Sequence, residues 1–240
     1  MVRIVAHRGG RALAIENTLT AFRNAVVLGV DAVEVDVLPS ADGTLMAYHD
    51  DSLKRLTGVD RPVWALHDAE LATVTIRLSD GSSGVGEPIP TLDAVDRILA
   101  PSMGFVIDVK HDDTEFPALF SGLVAFSRRV GPERVSVLSV HHQFLAALAD
   151  AVPGIRPLFN YRTSVSGQDL YAFSGKAGLA VGMAGLTPAM MVEARMRDWP
   201  IYLWTPNTVG ELRVALSMGV AAVITDNIGV ACDLRHRDVP

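Results

Sequence analysis

Five short stretches of this sequence carry side chains able to bind an ion, move a proton or hold an oxyanion. They are His7-Arg8-Gly9-Gly10, Glu34 with Asp36, His49-Asp50-Asp51, Asp108 with Lys110, and Trp204-Thr205-Pro206-Asn207. Glu34 and Asp36 stand two positions apart in a run of valines, a spacing that turns both side chains to one side of an extended chain. Asp108 and Lys110 share it. Unpaired carboxylates among valines are costly to bury. Two arrangements remove that cost. Glu34, Asp36 and Asp108 could converge on one divalent cation, and an all-oxygen set favours Mg²⁺, Ca²⁺ or Mn²⁺ over zinc. The other arrangement pairs the acids with Arg8 and Lys110 and needs no metal.

His7 and His49 add proton chemistry. Near neutral pH an imidazole can take or give a proton, so two of them can serve as general base and general acid. His7 ends an apolar run and is followed by Arg8, whose planar guanidinium matches phosphate oxygens. His67, His111, His141, His142 and His236 read as surface or packed histidines. Carboxylates for a metal, imidazoles for protons and an Arg/Lys pair for an oxyanion combine into metal-assisted cleavage of a phosphoester.

Such groups need a frame, and the sequence supplies a regular one. Short β-branched runs at 4–6, 32–37, 105–109, 135–140, 155–159, 180–183, 201–204 and 222–225 read as strands. Helices are expected over 18–28, 91–99, 116–130, 143–151, 167–177, 188–197, 209–218 and 229–234. Strict β-then-α alternation implies parallel strands with helical crossovers. Eight such units predict an α/β fold, the (β/α)₈ TIM barrel, with an open doubly wound sheet as runner-up. No Gly-rich nucleotide fingerprint follows the first strand. In a barrel the catalytic groups sit at the C-terminal ends of strands, where all five stretches fall or follow.

One stretch breaks the rhythm. Residues 40–90 exceed the ~2–6-residue loop usual between a strand and its helix. They hold an extra strand over 44–49 and an irregular part over 79–90, and are expected to form a lid or one wall of the pocket. The remaining residues read blandly. Cys232 and the tryptophans 64 and 199 are expected to pack, Asp112-Asp113 to start a helix in solvent, and Met183 to pack or line the pocket.

Composition bounds the partners. The chain has 240 residues, 49% of them hydrophobic, with 21 Lys+Arg against 27 Asp+Glu and a net charge of −6. That suits one domain over 1–240 and gives no basic face for nucleic acid. The one cysteine excludes an internal disulfide and a cysteine-based zinc site. Without a leader pattern or an apolar run of spanning length, the expectation is a soluble, cytoplasmic protein with no membrane span. Local positive charge or a metal must hold any anionic substrate against the global charge.

The motifs also resemble a known family. His7-Arg8-Gly9, Glu16-Asn17-Thr18 with Ala21-Phe22, Glu34-x-Asp36-Val37, Asp42-Gly43 and His49-Asp50 follow in order. Leu53, Thr57-Gly58, Ile89-Pro90-Thr91-Leu92, Asp108-Val109-Lys110, Trp204-Thr205-Pro206-Asn207 and Ile224-Thr225-Asp226 continue the likeness over nearly the whole chain. Together they resemble the glycerophosphodiester phosphodiesterases. The resemblance implies a TIM barrel with a small insertion after the second strand. It implies hydrolysis of glycerophosphodiesters to glycerol 3-phosphate and an alcohol, and a place in salvage from phospholipid breakdown. By position, His7 and His49 would be the acid/base pair, while Arg8 and Lys110 would hold the phosphate. Glu34 and Asp36 would bind Mg²⁺ or Ca²⁺, with Asp108 as third ligand. Glu16 would orient His7 or Arg8, and Trp204 and Asn207 would lie in or behind the pocket. In many members a glycerol hydroxyl is thought to attack first and give a cyclic phosphate.

Two departures stand out. Asp108 occupies a position that is usually glutamate and is one methylene shorter, roughly 1.3–1.5 Å of reach. A bridging water or a shifted metal would follow. Ser139-Val140-His141-His142 replaces the family's Ser-Phe after the fourth strand, which bears on substrate preference. Two other readings compete: a phospholipase D-like lyase or lysophospholipase D on lipid substrates, and a catalytically silent barrel that binds a phosphorylated metabolite.

Overall fold

The β-branched runs pair side by side and in parallel until the last meets the first. The computed structural model describes residues 1–77, 86–111, 116–161 and 176–237. The helix expected over 167–177 falls almost wholly outside them, as do Asp112-Asp113 and residues 79–85 of the irregular stretch. In chain order the strands are β1 (Arg3–Ala6), β2 (Ala32–Pro39), β3 (Leu45–Ala47), β4 (Thr75–Ile76), β5 (Glu87–Pro88) and β6 (Gly104–Val109). They continue with β7 (Val135–Ser139), β8 (Arg156–Tyr161), β9 (Gly178–Gly182), β10 (Ile201–Trp204) and β11 (Ala222–Thr225). Neighbours run β1-β2-β6-β7-β8-β9-β10-β11 and back to β1, all parallel. This is the closed eight-stranded barrel.

Alternation along each strand divides its side chains between two layers. Val5, Ala32, Val106, Leu138, Leu158, Ala180, Tyr202, Ala222 and Ile224 fill the barrel interior. The intervening residues, Ile4, Val33, Val35, Phe105 and Ile107 among them, face the surrounding helices. Those helices are α1 (Leu19–Val27), α4 (Leu92–Asp96), α5 (Pro117–Val130), α6 (His142–Ala151), α7 (Pro188–Met196), α8 (Val209–Ser217) and α9 (Ile228–Arg237). Two more, α2 (Lys54–Thr57) and α3 (Asp68–Leu71), lie in the insertion. The hydroxyls of Thr18, Thr91, Thr187 and Thr208 cap α1, α4, α7 and α8 by accepting a first-turn N–H. Each such cap contributes about 1 kcal/mol. Gly29, at φ +64°, stops α1 and turns the chain back into β2.

The insertion has its own small core. Leu38 of β2 packs with Met46, Tyr48, Leu53, Val63, Leu66, Leu71, Ile76 and Ile89. β3 runs antiparallel to the end of β2, pairing Ala47 with Val37. Within the stretch read as irregular, Glu87–Pro88 pairs with Thr75–Ile76 as a two-stranded ribbon. Two residues per strand leave no alternation to read. Cys232 and Trp199 are buried, as expected of packing residues. Met183 packs against the helix-facing core, away from the cavity described next. No helix among the described residues is long and apolar enough to cross a membrane.

Candidate active site

The polar groups begin one layer above the barrel interior. Ala32 faces inward, so Glu34 and Asp36 do too, and Val106 places Asp108 on the same inner face. Register completes the arrangement, because Asp36 pairs directly with Asp108 across β2 and β6. Around this point a cavity of about 360 Å³ opens at the C-terminal mouth, lined by His7, Arg8, Glu34, His49, Asp108, Lys110, Leu138, Asn160, Trp204 and Ile224. Seven of the eight barrel strands or the residues just after them reach it.

Glu34, Asp36 and Asp108 form one acidic group whose candidate ligand oxygens all lie within 4.8 Å of one another. The Lys110 ammonium bonds Asp36 and reaches Asp108 at 2.8 Å. Arg8 Nε lies 3.2 Å from Asp36, and Asn17 donates to Asp36 Oδ2 at 2.9 Å. Cluster and ion pairs therefore coexist. Burial disfavours the Asp36 carboxylate, but Lys110 and Arg8 outweigh it and hold Asp36 well below the usual carboxylate range. Glu34 moves the opposite way. Burial, and then the charge of Asp36, push its carboxyl up to about 8. Asp108 is also raised by burial, with Lys110 opposing and Asp36 adding to the shift. Glu34 and Asp108 are thus carboxyls short of positive charge, held within bonding span of a third. The donor set fits a hard divalent cation, whose oxygen ligands sit at 2.0–2.6 Å. The shorter Asp108 still brings an oxygen into the group.

His7 is held from behind by Asp226. Nδ1 lies 2.6 Å from Asp226 Oδ1. Asn207 donates its amide to Asp226 Oδ2 at 2.7 Å and accepts the Asp226 backbone N–H at 2.9 Å. Arg11 Nε is 3.2 Å from the same carboxylate. A carboxylate facing Nδ1 makes that nitrogen the donor, leaving Nε2 for the cavity side, 4.0 Å from Glu34. Burial pulls the His7 pKa down, but the bond to Asp226 and the charge of Glu34 more than offset it, so the net shift is upward. Asn207 thus lies behind the histidine and touches Asp226.

Arg8 carries backbone strain. Its φ of +51° lies in the left-handed region, at roughly 1–2 kcal/mol for a residue with a Cβ. The Arg8 N–H donates to Glu34 at 2.8 Å, and its carbonyl accepts from the Asn17 N–H at 2.9 Å. Gly9 follows at φ +84°, where a Cβ would stand 2.7 Å from that of Ala21 in α1. Only glycine lets the turn sit this close to the helix. Arg8 Nη1 donates to Glu16 at 2.8 Å, which is the contact that orients it. Arg55 donates to the same Glu16 at 2.7 Å and to Asp50 at 2.5 Å, and Asp50 lies 2.5 Å from Nδ1 of His49. One chain of polar contacts therefore runs from His49 through Asp50, Arg55 and Glu16 to Arg8. Burial alone would raise the Glu16 pKa, but Arg55 and Arg8 hold it low. His49 itself is placed by β3, since the Tyr48 N–H donates to the Asp36 carbonyl at 3.1 Å.

The structure thus gathers His7, Arg8, Glu34, His49, Asp108, Lys110 and Trp204 around the cavity, with Asp36 beneath and Glu16 and Asn207 behind. Sequence reasoning assigned no role to Asp226, Arg55 or Asn160, and read Asn17 only as a possible cap of the first helix, a place Thr18 takes. Asp226 and Asn160 stand at or just past barrel-strand ends, so the strand-end rule that selected Asp108 could have found them. Arg55 lies on a four-residue helix with no signal of its own.

Eight parallel strands closed into a barrel, with an acidic group and two histidines at its C-terminal mouth, place the chain among the TIM-barrel proteins. The chain belongs to the glycerophosphoryl diester phosphodiesterase family, whose sequence pattern matches residues 7–230. With the family comes the enzyme class, the phosphoric diester hydrolases. A glycerophosphodiester phosphodiesterase of Caldanaerobacter subterraneus subsp. tengcongensis is 25% identical over 227 residues, 93% of each chain. The rat lysophospholipase D GDPD1 is 40% identical over 133 residues, 53% of this chain and 42% of that one. Among solved structures, a glycerophosphoryl diester phosphodiesterase described as putative, from Silicibacter pomeroyi DSS-3, superimposes with a TM-score of 0.87. It is 22% identical and is aligned over 99% of this chain and 94% of that one. A phosphodiesterase of Oleispira antarctica, solved with the product sn-glycerol-3-phosphate, gives 0.85 at 22% identity over 98% and 96%.

Proposed function

We propose that the protein hydrolyses small glycerophosphodiesters to glycerol 3-phosphate and an alcohol, with His7 and His49 sharing the proton transfers. The observation that carries this is the cavity itself. Both histidines line it together with Arg8, Lys110, Glu34 and Asp108. Arg8 and Lys110 bind the phosphate. Glu34, Asp36 and Asp108 would hold a divalent cation, Mg²⁺, Ca²⁺ or Mn²⁺, which neutralises developing charge on the phosphate oxygens. Each histidine is backed at Nδ1 by a carboxylate, Asp226 for His7 and Asp50 for His49, so each offers Nε2 for chemistry. One imidazole takes the proton of the attacking hydroxyl as its oxygen bonds phosphorus. The other gives a proton to the departing alkoxide as the second P–O bond breaks. The −6 chain thus binds an anion through local charge.

The match to a lysophospholipase D favours a second reading, with lysophospholipids as substrates. One experiment separates the two. Purified protein is assayed on glycerophosphocholine, glycerophosphoethanolamine, glycerophosphoglycerol and lysophosphatidylcholine, with EDTA and then with Mg²⁺, Ca²⁺ or Mn²⁺ restored. Turnover of the small diesters, lost in EDTA and regained with metal, is the expected result. Turnover of lysophosphatidylcholine alone selects the second reading. Absence of all turnover, with bound anion and no bound metal, selects the silent barrel.

A further inference from the structure

The two sides of the cavity differ in chemistry. In the closed strand order β8 lies across the barrel from β1. The charged groups come from β1, β2, β6 and the insertion, while Leu138, Asn160, Trp204 and Ile224 line the other side. Asn160 follows Leu158 by two positions on β8 and shares its inward face. The indole N–H of Trp204 donates to Asn160 Oδ1 at 3.1 Å. An indole nitrogen only donates, so chemistry fixes which end of the amide faces it. The Asn160 Nδ2, with two N–H groups, is left on the other side of the amide and makes no hydrogen bond among the described residues. An oriented donor therefore stands in an otherwise apolar wall, opposite the phosphate-binding side.

We propose that Asn160 is a specificity-determining residue that donates from Nδ2 to a hydroxyl of an uncharged polyol group, the glycerol end of the substrate. The proposal rests on the phosphodiesterase reading above. A glycerol hydroxyl accepts the bond while its carbons lie against Leu138, Ile224 and the Trp204 ring. A quaternary ammonium or an alkyl chain accepts none, and would strip water from the amide without replacing it. Among the described residues that line this wall there is no carboxylate to balance a cation.

Competitive inhibition by sn-glycerol 3-phosphate and by n-propyl phosphate tests this, because the two share the phosphate and three carbons and differ in the hydroxyls. The wild type should prefer glycerol 3-phosphate. Asn160→Leu should cut that preference about 3- to 10-fold, the usual size of one neutral hydrogen bond, and leave n-propyl phosphate unchanged or tighter. Trp204→Phe keeps a ring but frees the amide, and should cut the preference by less. If Asn160→Leu does not fold, Asn160→Ala and Trp204→Phe carry the test. Equal weakening of both phosphates, an undiminished preference, or no wild-type preference overturns the proposal. Each of these leaves hydrolysis of glycerophosphodiesters by the wild type intact, whereas failure of that hydrolysis removes the functional reading itself.

Discussion

The carboxylate of Asp226 closes on Nδ1 of His7 at 2.6 Å although 219 positions separate them in the chain. Only the pairing of β11 with β1 brings them together. The contact sets the tautomer of the histidine, so on the proposed mechanism its loss should be felt in turnover rather than in substrate binding. Asp226→Asn should lower kcat by about 10- to 100-fold with little change in KM, the size seen when the partner that orients a functional histidine is lost. Steady-state kinetics on the preferred glycerophosphodiester checks it. A rise in KM at constant kcat would place Asp226 in substrate binding instead.

His7→Ala and His49→Ala should each reduce kcat/KM by about 10²- to 10⁴-fold, the range for loss of a general acid or base. The double variant should fall well short of the product of the two losses if the groups act in one reaction as proposed. Far-UV circular dichroism should be unchanged.

Glu34 makes the stability of the metal-free protein depend on pH. Its carboxyl is lifted from an ordinary value near 4.5 to about 8 by burial and by Asp36. The folded state therefore holds a proton that the unfolded state releases, and stability falls as pH rises from about 4.5 to about 8. Thermal unfolding in EDTA between pH 5 and 9 should show this decline, and Glu34→Gln should flatten it. At pH 8 the variant should melt a few degrees higher, at about 2–4 °C per kcal/mol for a chain of this size. Added divalent cation should stabilise the wild type and not the variant.

Glu16 is the shared anchor of Arg8 and Arg55. Glu16→Gln removes its charge at nearly constant shape and should raise KM by about 10-fold or more, in line with a charge-assisted hydrogen bond. Since its pKa is held low in the fold, its stabilisation is present above the ordinary carboxylate range and lost as pH falls through it. A comparison of acid unfolding curves for wild type and variant reads this directly.

Periodicity and spacing made the barrel legible. Valine-rich runs alternating with capped amphipathic segments specify a strand-helix unit locally, and eight repeats leave few topologies. The charged half of the cavity was legible for a related reason: Glu34, Asp36 and Asp108 contradict the apolar strands that carry them. What escaped were residues that look ordinary in place. Arg55 follows no local pattern, Asp226 and Asn160 stand at or just past strand ends without an acidic neighbour two positions away to single them out, and the partners of the three lie 39, 219 and 44 positions away. The insertion escaped in part because α2 and α3, at four residues each, are too short to show a period.

The hairpin between β2 and β3 has a kinetic consequence. His49 follows a strand hydrogen-bonded to the one that carries Glu34 and Asp36, so its backbone is tied to the barrel at this point. The second imidazole is positioned by a β-ladder, so on the proposed mechanism both proton-transfer groups stand in place before substrate enters. On that reading turnover would be set by encounter, bond making and product escape rather than by closure of the insertion. Raising solvent viscosity should slow diffusion in and out while leaving the chemical step untouched.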